Sequence, residues 1–257
     1  MQRIVDRLAK WKMHRFYAKN PEISGFLPPA VLLTPASLVK FIEQYKTVYI
    51  KANTIHTGRG IIKAWKSKNG YQYVRVRGKV MNSPSADHLI KKVKEISPNE
   101  LFIVQKGIDL ATIGGRPYDI RVMMMRDGTR KWQFAGMLAK VHGPESIVSN
   151  IRRGGGYVIS VEKALAESNF TGESIRRIKN QLIGLSQKII QYSETYPFYS
   201  FQSGIDLAVD KKGKVWIIEV NLHNPSHGLF KQLSDKTYYN RVLRLYRDYL
   251  KHNKRLI

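Results

Sequence analysis

The chain has no cysteine, few acidic residues and no long apolar run, and each absence excludes a class of protein. Without cysteine, it cannot form disulfide bonds, use a thiolate in catalysis or build a cysteine-based zinc site. No run of apolar residues approaches the length needed to cross a bilayer. The first twenty residues carry charges throughout and lack the apolar centre of a secretion signal, so we expect a cytoplasmic protein.

The scarcity of acidic residues leaves a formal net charge of +25, from 44 Lys and Arg against 19 Asp and Glu. The distribution is uneven, because the segment 46–80 carries nine basic residues and no acidic one. Such a field attracts polyanions, whether nucleotide phosphates, nucleic acid or acidic polymers. A basic surface can also serve only to keep a protein in solution.

At 257 residues, the chain is long enough for one substantial core or two small lobes. We expect residues 1–105 to form an N-terminal helix and a small lobe, and residues 106–257 to form a larger lobe. Helical spacing predicts helices at 2–19, 85–96, 174–195 and 236–251, and Thr34 with Pro35 opens one more. Alternation and turn signals predict an extended piece at 30–33 and strands at 48–51, 61–65, 71–77, 101–105, 118–126, 131–140, 157–160, 204–210 and 215–221.

The last two predicted strands, 204–210 and 215–221, indicate a divalent-metal site on a hairpin. A four-residue loop between them would place Asp206 diagonally from Glu219 on one face, with Asn221 two residues further along. Oxygen ligands of this kind suit Mg²⁺. The alternative is a solvated hairpin with an ordinary turn. The metal is favoured because an unpaired Glu219 inside an apolar run would be costly.

Lys51 ends a predicted strand just before a glycine-containing loop. Backbone N–H groups of such a loop can approach phosphate, and a nearby lysine neutralises its charge. The spacing fits neither a Walker loop nor a dinucleotide fingerprint. An ordinary hairpin turn is the alternative for this loop, which consists of Thr57, Gly58, Arg59 and Gly60.

Two further segments combine acids, amides and guanidinium groups. Asp119 and Arg121 lie on the same face of a strand, and residues 149–156 join Asn150 and Arg152 to a run of three glycines. Arginine forks suit a transferring phosphoryl group. The alternatives are a structural Asp–Arg pair and a basic surface loop. The histidines show no metal-ligand spacing.

Taken in order, these motifs resemble those of ATP-grasp enzymes over about residues 8–250. The similarity is closest to the YheC/YheD-like, endospore coat-associated branch, and the chain is also similar to RimK-type glutamate ligases. The residues that carry the resemblance are Lys51 with its glycine loop, 104–106, 119–121, 149–156 and the hairpin of Asp206, Glu219 and Asn221.

The resemblance implies an α+β fold in which two lobes with antiparallel sheets grip ATP between them. It assigns one or two Mg²⁺ ions to Asp206, Glu219 and Asn221. It places Asn150 and Arg152 at the phosphates or at an acyl phosphate. The residues it assigns to ATP itself are Lys51, Thr57, Gly58, Arg59 and Gly60 at the phosphates, Gln105 and Lys106 near the adenine, Asp119 at the ribose, and Arg121 at the phosphates.

The chain departs from the family pattern at three places. Ala52 follows Lys51 where proline is common, and Val148 precedes Ser149 where RimK-type enzymes have arginine. One phosphate contact is therefore missing or is supplied by Arg152. The chain begins almost at the grasp region, so we expect the separate domain that often helps to bind the acceptor to be absent.

The resulting hypothesis is an ATP- and Mg²⁺-dependent carboxylate–amine ligase that works through an acyl phosphate. Arg121, Arg152 and Asn150 would act on the transferring phosphoryl group. The substrates are an unidentified carboxylate and amine, and an acidic peptide or polymer would be drawn to the basic segment; nucleic acid is not favoured. One alternative is a nucleotide-binding module that docks on an anionic partner, such as a spore-coat component or nucleic acid. Another is an ATP-grasp kinase.

Overall fold

Alternating strands and amphipathic helices produce two antiparallel sheets in the computed structural model of the chain. The structure describes residues 8–55, 60–76, 78–149, 155–223 and 225–253. These residues form two units that are not continuous in sequence. Unit 1 comprises Met1–Phe16, Pro28–Asp109 and His142–Gly156, and unit 2 comprises Tyr17–Leu27, Leu110–Val141 and Tyr157–Ile257. The division into domains at residues 105 and 106 stays a prediction.

Unit 1 is built on a six-stranded antiparallel sheet with the strand order β1-β6-β2-β3-β4-β5. Leu38 and Leu89, one from each of two helices, pack on the sheet in a core with residues such as Ile50 and Val104. The elements are α1 (Lys10–Tyr17), β1 (Ala30–Leu32), α3 (Pro35–Tyr45), β2 (Thr47–Ala52), β3 (Ile61–Ser67), β4 (Gly70–Arg75), β5 (Met81–Ser83), α4 (Ala86–Lys94) and β6 (Phe102–Lys106), and α2 (Pro21–Ser24) falls in unit 2.

The helix α3 begins where the sequence predicts it. Thr34 has extended backbone and accepts a hydrogen bond from the Ser37 N–H, while the Ser37 hydroxyl accepts one from the Thr34 N–H. Pro35 occupies the first turn, where its missing N–H costs nothing. The two reciprocal bonds satisfy donors that a helix start leaves without partners.

Unit 2 has a second six-stranded sheet with the order β10-β9-β8-β11-β12, and β7 pairs with β8. One core cluster joins sheet residues such as Met123 and Leu138 to Phe230 and Val242. Its elements are β7 (Thr112–Ile113), β8 (Arg116–Arg126), β9 (Trp132–Val141), β10 (Tyr157–Ile159), α5 (Val161–Glu167), α6 (Gly172–Ser193), β11 (Gln202–Val209), β12 (Val215–Asn221), a 3-10 turn (Gly228–Gln232) and α7 (Thr237–Asn253).

The predicted strands and the helices after residue 20 agree with the structure within a few residues, whereas the helix predicted at 2–19 is described only as Lys10–Tyr17, since residues 1–7 lie outside the described part. Sequence reasoning missed four short elements, α2, β5, β7 and α5, because a few residues carry too little periodicity to predict. None of the helices in the described part of the chain is long and apolar enough to cross a membrane.

Candidate functional site

The hairpin β11–β12 brings its two acids directly opposite each other. Asp206 pairs with Glu219, and Gly204 pairs with Asn221. A β-bulge separates the Asp206–Glu219 pair from the next pair, Leu207 with Ile217. The predicted diagonal placement of Asp206 and Glu219 is therefore wrong, although their shared face is right. The bulge inserts one extra residue into β12, which local alternation does not reveal.

The turn between β11 and β12 is held by Asp210. Its Oδ1 accepts hydrogen bonds from the Lys212 and Lys214 N–H groups, and its Oδ2 accepts one from the Trp216 indole. Val209 pairs with Val215, so the loop is one residue longer than predicted. Asp210 serves the turn, and Asp206 is the acid of β11 that lies opposite Glu219.

Asp206 forms a bidentate ion pair with Arg121 on the neighbouring strand β8. Asp206 and Arg121 are register partners, and the distances are 2.7 Å from Nε to Oδ1 and 2.9 Å from Nη2 to Oδ2. Both side chains are largely buried, with exposed fractions of 13% for Arg121 and 9% for Asp206. The acid that pairs with Arg121 thus lies 85 residues away in sequence, and is not Asp119.

Lys140 on β9 completes a chain of buried charges, and sequence reasoning missed it. Its Nζ lies 2.8 Å from Asp119 Oδ1 and 2.9 Å from Asp206 Oδ1, and the residue is 6% exposed. Lys140 stands opposite Asp119 in the β8–β9 pair. A lysine directly after the apolar run 134–139 was the signal, since a buried lysine requires an acidic partner.

The charges hold one another in the ionised state. Burial by itself would raise the pKa of Asp206, but the charges and hydrogen bonds of Arg121 and Lys140 outweigh burial and hold it well below its usual range. Burial would lower the pKa of Lys140, and the nearby Asp119 and Asp206 carboxylates raise it instead. Asp206 and Lys140 therefore stay charged at neutral pH, and Arg121 is held in place beside them on one sheet face.

Arg121 has one donor nitrogen left after it binds Asp206. Nε and Nη2 face the carboxylate, while Nη1 makes no hydrogen bond among the residues that the structure describes. Gly204 leaves room for this nitrogen, because a Cβ added there would lie 2.8 Å from Nη1. The geometry leaves one side of the guanidinium able to bind an oxyanion.

The donor set of the hairpin fits an oxygen-liganded cation with few protein ligands. Asn221 donates from Nδ2 to the Gly204 carbonyl at 3.2 Å, which leaves its amide oxygen as the acceptor. Asp206 already binds two cationic side chains through its oxygens. Within the described ranges, no group of three or more His, Cys, Asp or Glu residues could hold a metal. A Mg²⁺ ion held by Glu219 and Asn221 would thus complete its shell with phosphate oxygens and water, as is usual for Mg²⁺.

In unit 1, the structure brings Lys51 and Gln105 together. The Lys51 Nζ donates to the Gln105 Oε1 at 2.6 Å, and the two side chains come from the paired strands β2 and β6. The half-buried His14 lies close enough that burial and then the positive charge of Lys51 lower its pKa. Lys106 takes a different environment, with its Nζ 5.4 Å from the centre of the Tyr45 ring.

The glycine loop after Lys51 is described only at its last residue. Gly60 has φ of 71°, and its carbonyl accepts the Ala52 N–H at 2.9 Å. A Cβ at Gly60 would lie 2.8 Å from the Ala52 Cβ, so glycine is required there. The remaining loop residues Thr57, Gly58 and Arg59, and the predicted phosphate ligands Asn150 and Arg152, lie outside the described residues.

Comparison with known proteins points to one family. A model of the family described as YheC/D like ATP-grasp matches residues 5–252. The endospore coat-associated protein YheD of Bacillus subtilis (strain 168) is 28% identical over 229 residues, which cover 86% of this chain and 49% of YheD. The endospore coat-associated protein YheC of the same strain is 19% identical over 226 residues, which cover 82% of this chain and 58% of YheC.

Solved structures share the fold. N5-carboxyaminoimidazole synthetase from Staphylococcus aureus, complexed with ADP, superposes with a TM-score of 0.54 at 11% identity, over 93% of this chain and 51% of that one. The ATP-grasp ligase PsnB, complexed with a phosphomimetic variant of minimal precursor, Mg and ADP, superposes with a TM-score of 0.52 at 12% identity, over 96% of this chain and 60% of that one.

The match in sequence extends over nearly all of the chain, whereas the chain spans only 49% and 58% of the two relatives. The antiparallel sheets of both units agree with the fold that the resemblance implied. The chain belongs to the YheC/D-like ATP-grasp family.

Proposed function

We propose that the protein is an ATP- and Mg²⁺-dependent carboxylate–amine ligase. The observation that carries this proposal is the buried charge chain of Arg121, Asp206, Lys140 and Asp119, on the sheet face that also presents Glu219. Preorganised cationic donors beside oxygen ligands are what phosphoryl transfer requires. ATP and Mg²⁺ are part of the proposal, supported by family membership and by the oxygen donors of the hairpin.

Each residue has a defined task in this proposal. Arg121, oriented by Asp206, would donate from Nη1 to an equatorial phosphate oxygen, and Lys51, oriented by Gln105, would neutralise phosphate charge. Glu219 and Asn221 would hold Mg²⁺, which neutralises charge on the bound phosphates. Asp206 as a third metal ligand, and the roles of Asn150 and Arg152, stay predictions.

The reaction then has two balanced steps. A carboxylate oxygen of the substrate bonds to the γ-phosphorus as the bond to the β,γ-bridging oxygen breaks, and ADP leaves with that electron pair. The amine nitrogen next bonds to the acyl carbon, the bond from this carbon to the phosphate oxygen breaks, and the amine proton passes to the released phosphate or solvent. The products are an amide, ADP and phosphate.

The test is phosphate release from ATP with Mg²⁺ over a panel of amino acids and acidic peptides, with mass analysis of the products. We expect Glu219→Gln to lower turnover by about tenfold or more, since one cation ligand loses its charge. Glu173→Gln is the matched control, because Glu173 is exposed in the first turn of α6. Undiminished turnover in Glu219→Ala refutes the proposal. A phosphorylated product in place of an amide identifies a kinase.

The charge of the chain favours a second candidate, a nucleotide-binding module that docks on an anionic partner. ATP binding without phosphate release across the whole panel would support this candidate over the ligase. In either case we propose that the partner or acceptor is acidic, and that its affinity falls steeply between low and moderate salt. The name of the relative YheD motivates a further proposal, a spore-associated setting within the cytoplasm.

A further inference from the structure

A cavity in unit 2 lies apart from the candidate site and uses none of its residues. It has a volume of about 620 Å³ and opens between the end of the β8–β9 hairpin and the helices α6 and α7. This size is typical of ligand-binding clefts. The side chains that matter for its chemistry are Trp132, Gln133, Phe134, Gln187, Arg241 and Arg244.

The acids and the arginines of the cavity play different roles, although they balance each other in charge. Asp127 and Asp248 also line it, but both serve the hairpin: Asp127 accepts from Thr129 and Lys131, and Asp248 accepts from the Gly128 N–H at 2.6 Å.

The two arginines of the cavity differ from its acids in their hydrogen bonding. Arg241 and Arg244 stand three residues apart on one face of α7, are exposed, and make no hydrogen bond or ion pair within the described ranges. Two unpaired guanidinium groups on one face suit a carboxylate, which they can bind with parallel hydrogen bonds.

Neighbouring side chains contact both aromatic residues of the cavity wall. The Trp132 indole donates to Glu194 at 3.1 Å, and the guanidinium carbon of Arg126 lies 4.4 Å from its ring centre. Phe134 packs edge-on against Tyr238, with the ring centres 5.7 Å apart. Fixed aromatic side chains give contact area at low entropic cost.

The cavity also offers groups that match a peptide backbone. Gln133 donates from Nε2 to Asp127 at 2.8 Å, which leaves its carbonyl oxygen as an acceptor for an N–H group. The strand β9, which contributes Trp132–Phe134 to the wall, is paired by β10 only at residues 139–141, so residues 132–138 have no second strand partner in the described part of the chain. Unpaired edges accept an added strand.

We propose that this cavity is a docking site for an acidic, extended segment of a partner protein. A Glu or Asp carboxylate of the partner binds Arg241 and Arg244, an apolar side chain packs on Trp132 and Phe134, and the partner backbone runs beside the start of β9. Charge complementarity favours this occupant because the chain carries +25 and the two arginines of the cavity bind no acid within the described ranges. The acceptor oxygen of Gln133 favours a peptide over an oligophosphate, which has no donors.

The experiment measures binding of a fluorescein-labelled hexapeptide of alternating Glu and Phe to the full chain by fluorescence polarisation, at about 0.15 M salt. We expect Arg241→Glu with Arg244→Glu to weaken binding by about tenfold or more, because two charge-assisted contacts are lost. The matched control is Arg247→Glu with Lys251→Glu, two exposed residues of α7 outside the cavity with the same change in charge. The control should weaken binding by about threefold or less, through long-range attraction alone.

Four further measurements test the same proposal. A peptide with Gln in place of Glu, and one N-methylated at alternate residues, should each bind about tenfold more weakly. Three outcomes overturn the proposal: an equal loss of peptide affinity in both double variants, no peptide binding at all, or tighter binding of a single-stranded oligonucleotide than of the peptide. Arg241→Gln with Arg244→Gln, checked by circular dichroism, repeats the test if the charge reversal perturbs folding. Because this site shares no residue with the proposed ligase site, either proposal can fail alone.

Discussion

Replacing Lys140 by methionine tests whether the buried charge chain stabilises unit 2. The substitution keeps the length of the side chain but removes a charge that lies 2.8 Å from Asp119 and 2.9 Å from Asp206. Removing one partner of a buried ion pair costs about 3–5 kcal/mol. Asp206 keeps its bidentate partner Arg121, so we expect the lower end, about 3 kcal/mol, or a fall in melting temperature of about 6–12 °C.

The assay is urea unfolding at pH 7 followed by circular dichroism, with coincidence of a second probe to check for a single transition. Lys131→Met, at an exposed position just before β9, is the control and should change the free energy of unfolding by less than about 0.5 kcal/mol. Adding Asp119→Asn to Lys140→Met should recover part of the loss, because a neutral amide replaces an uncompensated charge. A cost below about 1 kcal/mol for Lys140→Met, or no recovery in the double variant, would refute the reasoning.

Three other predictions address the same units. Because the folded-state pKa of Asp206 is lowered, the contribution of Asp206 to stability should be fully present above the ordinary pKa of 3.8 and lost only as pH falls below that value. Urea unfolding from pH 7 to pH 2 measures this contribution, and a loss already at pH 5 would contradict the prediction. Gly204→Ala should cost about 1–3 kcal/mol of unfolding free energy, since the new Cβ meets Arg121. Gly184→Ala, which has open space around it in α6, should instead stabilise the protein by about 0.5–1 kcal/mol. Equal effects of the two substitutions in thermal melts would exclude the steric argument. Thr34→Ala should cost about 1 kcal/mol in urea unfolding and increase amide exchange at the start of α3; unchanged exchange there would show that the cap is dispensable.

Local chemistry explains why some features could be predicted from the sequence. The start of α3 at Thr34 depends on a hydroxyl and a proline within four residues, and the turn of the last hairpin depends on Asp210 and the glycine that follows. Asp119 and Arg121 share a face because side chains in a strand alternate with a period of two. Such features need no information from distant parts of the chain.

The partners within the candidate site required the tertiary structure. Arg121 binds Asp206 because β8 lies beside β11, and Lys140 joins them because β9 pairs with β8 in one register. Strand order and bulge positions are set by how whole sheets pack, so periodicity in one segment cannot supply them.

The sequence by itself determined the family, through an ordered set of motifs, and the strands that carry Lys51, Asp119, Arg121, Asp206 and Glu219. Only the tertiary structure decided which charges meet: it paired Asp206 with two cations and added Lys140 to the site. It also placed Arg241 and Arg244 of α7 beside the aromatic start of β9. The physical reason is that type and spacing of residues act locally, whereas ion pairs and cavities depend on register and packing between segments far apart in the chain.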